Sequence, residues 1–307
     1  MAEEKKRAIS QINVDLSCDL QCDKCEKFFS CTRPEKMDMY LRARMKLARE
    51  RISKIKKKII VVGGKGGVGK TLLAVNLATA LAMKGRKVTV LDQNFDGPCV
   101  HKMFGLEGKR LSVSDAGIEP VTAILGIQVI SMGLVLEEDE VLTWFHDLRR
   151  NALEEFLCGV NYGERDYLIT DLPAGTSSDT QNILQFVPEA DGAVVITIPT
   201  DVSQGVAHKA VVACQKANIR VLGIVENMAG LICPYCGKYS EPYLRGGADK
   251  LAQTLGLPIL GRIPLDREIS RCSDAGTPFV YANPELPASK EMMKIADQVE
   301  QMVGWSG

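Results

Sequence analysis

The chain lacks several features that would narrow a reading at once. It has no excess of either charge sign: 38 Lys and Arg balance 38 Asp and Glu, so nothing global recommends a nucleic acid or a membrane as partner. No stretch approaches the ~18 consecutive apolar residues of a membrane span. The polar start MAEEKKRAIS is unlike a secretory signal, and the expectation is a soluble, cytoplasmic protein with no membrane or nucleic-acid partner. Histidine is scarce, and His101, His146 and His208 show no ligand spacing among themselves. There is no internal repeat and no low-complexity tract. Cysteine, by contrast, is plentiful, with ten in 307 residues. In a reducing compartment these argue against a disulfide framework and for metal ligation or thiol chemistry.

Three regions separate by composition. Residues 1–36 carry four of the ten cysteines and few aliphatic side chains, so they read as a small metal-binding segment unable to build a core alone. Residues 37–57 read as a basic connecting helix, with Leu41, Met45, Ala48, Ile52 and Ile55 on one face and Arg42, Arg44, Lys46, Arg49, Arg51 and Lys54 elsewhere. From 58 to 307, the runs KIIVVGG, KVTVLD, IQVISMG, DYLITD, GAVVITIP, RVLGIVEN and PILGRIP alternate with amphipathic segments. Runs so continuously apolar are strands buried on both sides, which predicts an α/β fold with a doubly wound, mostly parallel sheet. Ligands in such sheets bind beyond the carboxyl ends of the strands.

After the first run comes GGKGGVGKT, in which Gly64, Gly69, Lys70 and Thr71 satisfy G-x-x-x-x-G-K-[ST]. Backbone N–H groups from Gly64 through Lys65, Gly66, Gly67, Val68 and Gly69 are expected to curl around phosphate oxygens. Lys70 would neutralise β/γ charge, and the Thr71 hydroxyl would reach Mg²⁺. The helical pattern TLLAVNLATALAMKG that follows, with Gly85 as its C-cap, supplies the strand–loop–helix context of a nucleotide-binding phosphate loop.

Lys65, at the second position of GKGGVGKT, makes the loop a deviant Walker A, and here the chain resembles the nitrogenase iron protein, MinD, ParA and Mrp class of P-loop ATPases. The resemblance implies an ATP-stabilised homodimer in which Lys65 reaches the partner's nucleotide. It further implies a switch I aspartate at Asp92, a switch II carboxylate near Mg²⁺ at Asp171, a γ-phosphate-sensing N–H at Gly175 and a base-contacting amide at Asn227, in the strand-end segment VEN. The switch I text departs from the Mrp pattern D-A-D-x-Y-G-P-S. It reads DQNFDGPC, so Asn94 replaces the second aspartate, Asp96 restores a spacing like that of the nitrogenase iron protein, and Cys99 replaces the serine. Asp92 and Asp96 are thus both candidate catalytic carboxylates. The family's W-R-G-P stretch before the switch II strand is replaced by TWFHDLRR near Thr143 to Arg150.

Cys18, Cys22, Cys25 and Cys31 form C-x3-C-x2-C-x5-C, a set that completes one zinc site or one [4Fe–4S] cluster. Resemblance to the Nbp-type branch of the Mrp ATPases favours the cluster, with zinc as the alternative. Cys233 and Cys236 supply only two thiolates. Taken alone, Cys-Pro-Tyr-Cys resembles a glutaredoxin dithiol, but ENMAGLICPYCG matches the Mrp/Nbp signature N-M-x-x-x-x-C-x-x-C. That resemblance implies a [4Fe–4S] cluster bridging two subunits. The reading is an ATP-hydrolysing iron–sulfur cluster carrier or scaffold that serves apo acceptor proteins. The rivals are an ATP-gated electron donor like the nitrogenase iron protein and a positioning ATPase of the MinD/ParA kind.

Overall fold

Short runs of Val, Ile and Leu without a polar face can be satisfied only between two layers, and that is where the chain puts them. The structure, a computed structural model, describes residues 18, 21–27, 30–136, 146–175, 180, 184, 187, 189–232, 236, 238–241, 243 and 247–305. Helix α1 (Lys36–Ile52) leads into strand β1 (Ile55–Val62), helix α2 (Lys70–Met83) and strand β2 (Val88–Asp92). A short helix α3 (Val100–Met103) and the hairpin of β3 (Ser112–Ser114) and β4 (Gly117–Glu119) precede β5 (Val121–Thr122) and β6 (Gln128–Ile130). There follow α4 (His146–Gly159), β7 (Arg165–Asp171), β8 (Gly192–Thr197), α5 (Asp201–Lys216), β9 (Val221–Ile232) and β10 (Tyr239–Ser240). The chain closes with α6 (Gly247–Leu255), β11 (Ile259–Leu265), α7 (Arg267–Asp274), α8 (Phe279–Ala282) and α9 (Pro287–Met302).

The sheet runs β10-β9-β8-β1-β7-β2-β6-β5, with β11 also on β9. Strands β11, β9, β8, β1, β7, β2 and β6 pair in parallel, and they are the seven runs expected from the sequence. Only β5 and β10 are antiparallel additions. Helices α2, α8 and α9 bury Leu73, Leu77, Phe279, Met292 and Ile295 on one face, while α1, α4, α5 and α6 bury Ile52, Phe156, Val211 and Leu251 on the other. Because β1 is central and its flanking strands depart to either side, its carboxyl end opens on the crevice where such sheets bind ligands.

Two boundaries differ from the sequence expectation. The basic helix ends at Ile52, and Ile55 begins β1, pairing in register with Arg165. A residue three positions beyond Ile52 fits a helical face or a buried strand equally well, and pairing with β7 decides it. Strand β9 does not end at Asn227 but runs to Ile232, because Leu231 and Ile232 find partners in β11 and β10. Such pairings are made by residues distant in sequence and leave no local signature. The expected C-terminal helix packs on the sheet, and β11 accepts it through Gly261, where a Cβ would stand 2.6 Å from Ile295. Beyond it, the Trp305 ring lies 4.9 Å from that of Tyr167, with the Arg86 guanidinium 4.7 Å and the Lys56 ammonium 5.2 Å from its centroid. Among the described residues, no helix is long and apolar enough to cross a membrane.

Candidate functional site

The loop after β1 is shaped by its glycines and by close approaches from α5 and β9. Gly67 and Gly69 take φ of +79° and +97°, a region that L side chains rarely adopt. Nothing stands within 4 Å of where a Cβ on Gly66 or Gly67 would lie, so this part of the loop borders open space. Gly64 is constrained differently, since a Cβ there would be 2.3 Å from the backbone of Val206, and α5 therefore presses directly on the loop. On the opposite side Asn227, buried in β9, donates its Nδ2 to the Val68 carbonyl at 3.0 Å. The same nitrogen would lie 2.4 Å from a Cβ on Gly69. The Asn227 amide thus braces the loop itself.

Lys70 opens α2 and is buried, its Nζ donating to the Lys65 carbonyl at 3.2 Å. Burial pulls its pKa down, and Asp171 opposes that shift. The Lys65 side chain is exposed. Next in the helix, Thr71 Oγ1 donates to Asp171 Oδ2 at 2.6 Å. Asp171 Oδ1 is buried with no hydrogen-bond partner, which leaves one carboxylate oxygen directed at nothing the protein supplies. An unmatched carboxylate oxygen beside a hydroxyl, at the mouth of a cationic loop, is a donor set that suits Mg²⁺.

Asp92 lies in register with Asp171 on the neighbouring strand. It is fully buried and accepts from Ser131 Oγ at 2.8 Å, Asn94 N at 3.0 Å and Val100 N at 3.3 Å. Burial raises the pKa of both carboxyls, and for Asp171 the charge of Asp92 adds to the rise. Ser131 is a participant that the sequence reading did not single out. Its signal was positional, since it follows the run IQVI at a carboxyl strand end.

Asp96 departs from its expected place. Its side chain is 62% exposed and forms a two-pronged ion pair with Arg149, Nη1 standing 2.8 Å from Oδ2 and Nη2 meeting Oδ1. It therefore does not join Asp92 and Asp171, because a long cation from α4 competes for it. Gly175 takes φ of +87°, and its N–H points at the Gly63 carbonyl, 3.4 Å away. Cys99 is an exposed thiol bonded to the Gly97 carbonyl, its pKa raised by burial and then by Asp92 and Asp171.

Among the cysteines, Cys22 is buried, and its thiol is pushed up by burial and then by Cys18, Cys25 and Cys31, against the pull of Arg33. Among the described residues, no three His, Cys, Asp or Glu side chains converge within reach of one metal ion. Four thiols within fourteen residues are nonetheless the donor type that zinc or an iron–sulfur cluster requires. Cys236 is exposed, three residues before β10, and Cys233 lies outside the described residues. Cys158, Cys214 and Cys272 are buried core residues.

The model of a family described as ParA, NUBPL iron-transfer P-loop NTPase, matches residues 54–300. An iron–sulfur cluster carrier protein of Saccharolobus solfataricus is 42% identical over 254 residues, 82% of this chain and 86% of that protein. One from Methanocaldococcus jannaschii is 40% identical over 287 residues, 93% of this chain and 97% of the relative. Among solved structures, a nucleotide-binding protein of Archaeoglobus fulgidus in complex with ADP superposes with a TM-score of 0.70 at 37% identity, covering 77% of this chain and 93% of that one. The cell division ATPase MinD of Pyrococcus furiosus has a TM-score of 0.63 at 24% identity, covering 81% of this chain and all of that one, and shares the fold. With four-fifths of its length under that family model and its phosphate loop built as described, the chain belongs to the NUBPL iron-transfer family of P-loop NTPases.

Proposed function

We propose that the protein is an ATP-binding and ATP-hydrolysing carrier that assembles [4Fe–4S] clusters and hands them to apo acceptor proteins, acting as a homodimer in the cytoplasm. One observation carries the reading: strand β9 holds the Val68 carbonyl through Asn227, then bends at Met228 (φ +56°), shifts register against β11, and reaches Ile232, the residue before Cys233. One strand thus leads from the phosphate loop toward the Cys233/Cys236 pair. Two thiolates are half of a four-ligand site, and a two-fold axis supplies the other half. The names of the two relatives support the same cargo.

In this reading Lys70 leaves the Lys65 carbonyl for the phosphates of ATP, and the Gly64–Gly69 backbone cradles them, while Asn227 also contacts the base. Thr71 and Asp171 hold Mg²⁺, which when bound neutralises phosphate charge. Asp92, fixed by Ser131 and the N–H groups of Asn94 and Val100, orients the attacking water. The Gly175 N–H exchanges the Gly63 carbonyl for the γ-phosphate, and Lys65 reaches the partner's nucleotide. Cys18, Cys22, Cys25 and Cys31 hold a second [4Fe–4S] cluster in each subunit, with zinc as the alternative. Hydrolysis relaxes the dimer and makes the bridging cargo exchangeable. The electron-donor alternative draws on the Asp92/Asp96 spacing, and Asp96 pairs with Arg149.

The test is anaerobic purification, counts of iron, sulfide and zinc per chain, and transfer to an apo acceptor with and without ATP. Faster transfer with ATP is expected. Zinc without sulfide refutes the carrier reading, and a cluster that only changes redox state favours the electron donor.

A further inference from the structure

The two stretches in which this chain departs from its family's text, DQNFDGPC and TWFHDLRR, meet in space. Asp96 belongs to the first and Arg149 to the second, and the two-pronged ion pair ties the switch I loop to the first turns of α4. The same loop supplies the Asn94 and Val100 N–H groups that fix Asp92. A planar guanidinium gripping both carboxylate oxygens restrains direction as well as distance.

The grip is itself anchored. The next residue, Arg150, donates Nε to Glu154 at 3.0 Å, and Glu154 is fully buried. Glu154 also faces Arg44 of α1 at 3.4 Å, while Arg44 reaches Glu155 at 2.6 Å and accepts the Cys158 thiol at its carbonyl. At the start of α1, Lys36 Nζ donates to the Cys31 carbonyl at 2.8 Å. Contacts therefore step from the N-terminal cysteine segment to α1, from α1 to α4 and from α4 to switch I, with the body of α1 spanning Lys36 to Arg44 and the peptide bond joining Arg149 to Arg150.

We propose that Arg149 is a positioning residue of the ATPase site, holding switch I over Asp92 through Asp96, and that the docking of α1 on α4 through Arg44 and Glu154 sets the strength of that hold. The seating of the cysteine segment is then read at the nucleotide site. The inference rests on the ATP-hydrolysis reading above and requires no particular metal.

The test is a charge swap in the full-length chain. Asp96→Arg and Arg149→Asp should each lower kcat for ATP about tenfold with KM changed less than about twofold, and the double swap should restore most of the loss. Arg149→Lys, which keeps the charge but not the fork, should fall between. Arg44→Met should lower kcat about fivefold in the wild-type background and leave Arg149→Ala unaffected, since both act through one path. Amide exchange across residues 93–100 should quicken about tenfold in Arg149→Ala, whether or not the preparation turns over ATP. Wild-type protein without ATP turnover would refute the hydrolysis reading. Unchanged exchange, singles with normal kcat, a swap that does not rescue, or equal effects of Arg44→Met in both backgrounds would each overturn the inference.

Discussion

The Thr71 hydroxyl donates to one oxygen of Asp171 at 2.6 Å and leaves the other buried without a partner. With Asp92 in register beside it, two buried carboxyls lie on neighbouring strands, and burial favours their neutral form. Folded-state values pushed up to about 8 for Asp171 and about 6 for Asp92, from 3.8, fix the sign of the pH dependence. The folded chain keeps protons that the unfolded chain has released, so the stability present below 3.8 is lost as pH rises through the raised values. Without nucleotide, the melting temperature should fall by roughly 5 °C between pH 5 and pH 8.5, and Mg²⁺ with ATP should flatten the slope. Calorimetry across that range decides it, and a rising profile would count against the charge balance described.

Asp171→Asn separates stability from chemistry. It should raise the nucleotide-free melting temperature at pH 8 and remove most of the slope, while ATP turnover falls about 100-fold or more. A variant that is less stable at pH 8 would contradict an uncompensated carboxylate.

Gly64→Ala tests the contact between the phosphate loop and α5. The added methyl would sit 2.3 Å from the Val206 backbone, and the site is overpacked by about 1–3 kcal/mol. Urea unfolding should register that loss, and isothermal titration should find nucleotide binding weakened. Gly66→Ala, facing open space, should leave stability within about 0.5 kcal/mol of wild type.

Glu154→Ala removes the buried carboxylate that pairs with Arg150 and leaves Arg44 with Glu155. The expected cost is about 3 kcal/mol in urea unfolding. A loss under about 1 kcal/mol would mean that α1 is not held by this network.

Cys233→Ala should abolish one cluster per dimer and leave the N-terminal one, and Cys22→Ala should do the reverse. Iron counts with EPR on the two variants check the assignment, and retention of both clusters in either variant refutes it. Lys65→Ala should keep nucleotide binding and lose the ATP-dependent dimer in sedimentation velocity.

The seven parallel strands were legible because burial on both faces leaves an unbroken aliphatic run, and the phosphate loop because its glycines and Lys70 follow such a run directly. Asp92, Ser131 and Asp171 all lie at carboxyl strand ends, where the fold alone directs the search. Asp96 was a candidate by spacing, and spacing along a loop does not report which cation lies across from it. Arg149 is 53 positions away and arrives only when α4 docks. The extension of β9 past Asn227 was hidden for the same reason. Asn227 itself matched a family position, yet its grip on Val68 depends on a three-dimensional approach to Gly69 that no pattern encodes.

Trp305 packs against Tyr167 between Arg86 and Lys56, at the amino ends of β1, β2 and β7, the edge of the sheet opposite the phosphate loop. The chain has two tryptophans, and Trp144 lies outside the described residues. The emission of Trp305 is therefore an intrinsic gauge of whether the carboxyl-terminal helix is seated. In a Trp144→Phe background, it separates unfolding of that edge from events at the nucleotide without any added label.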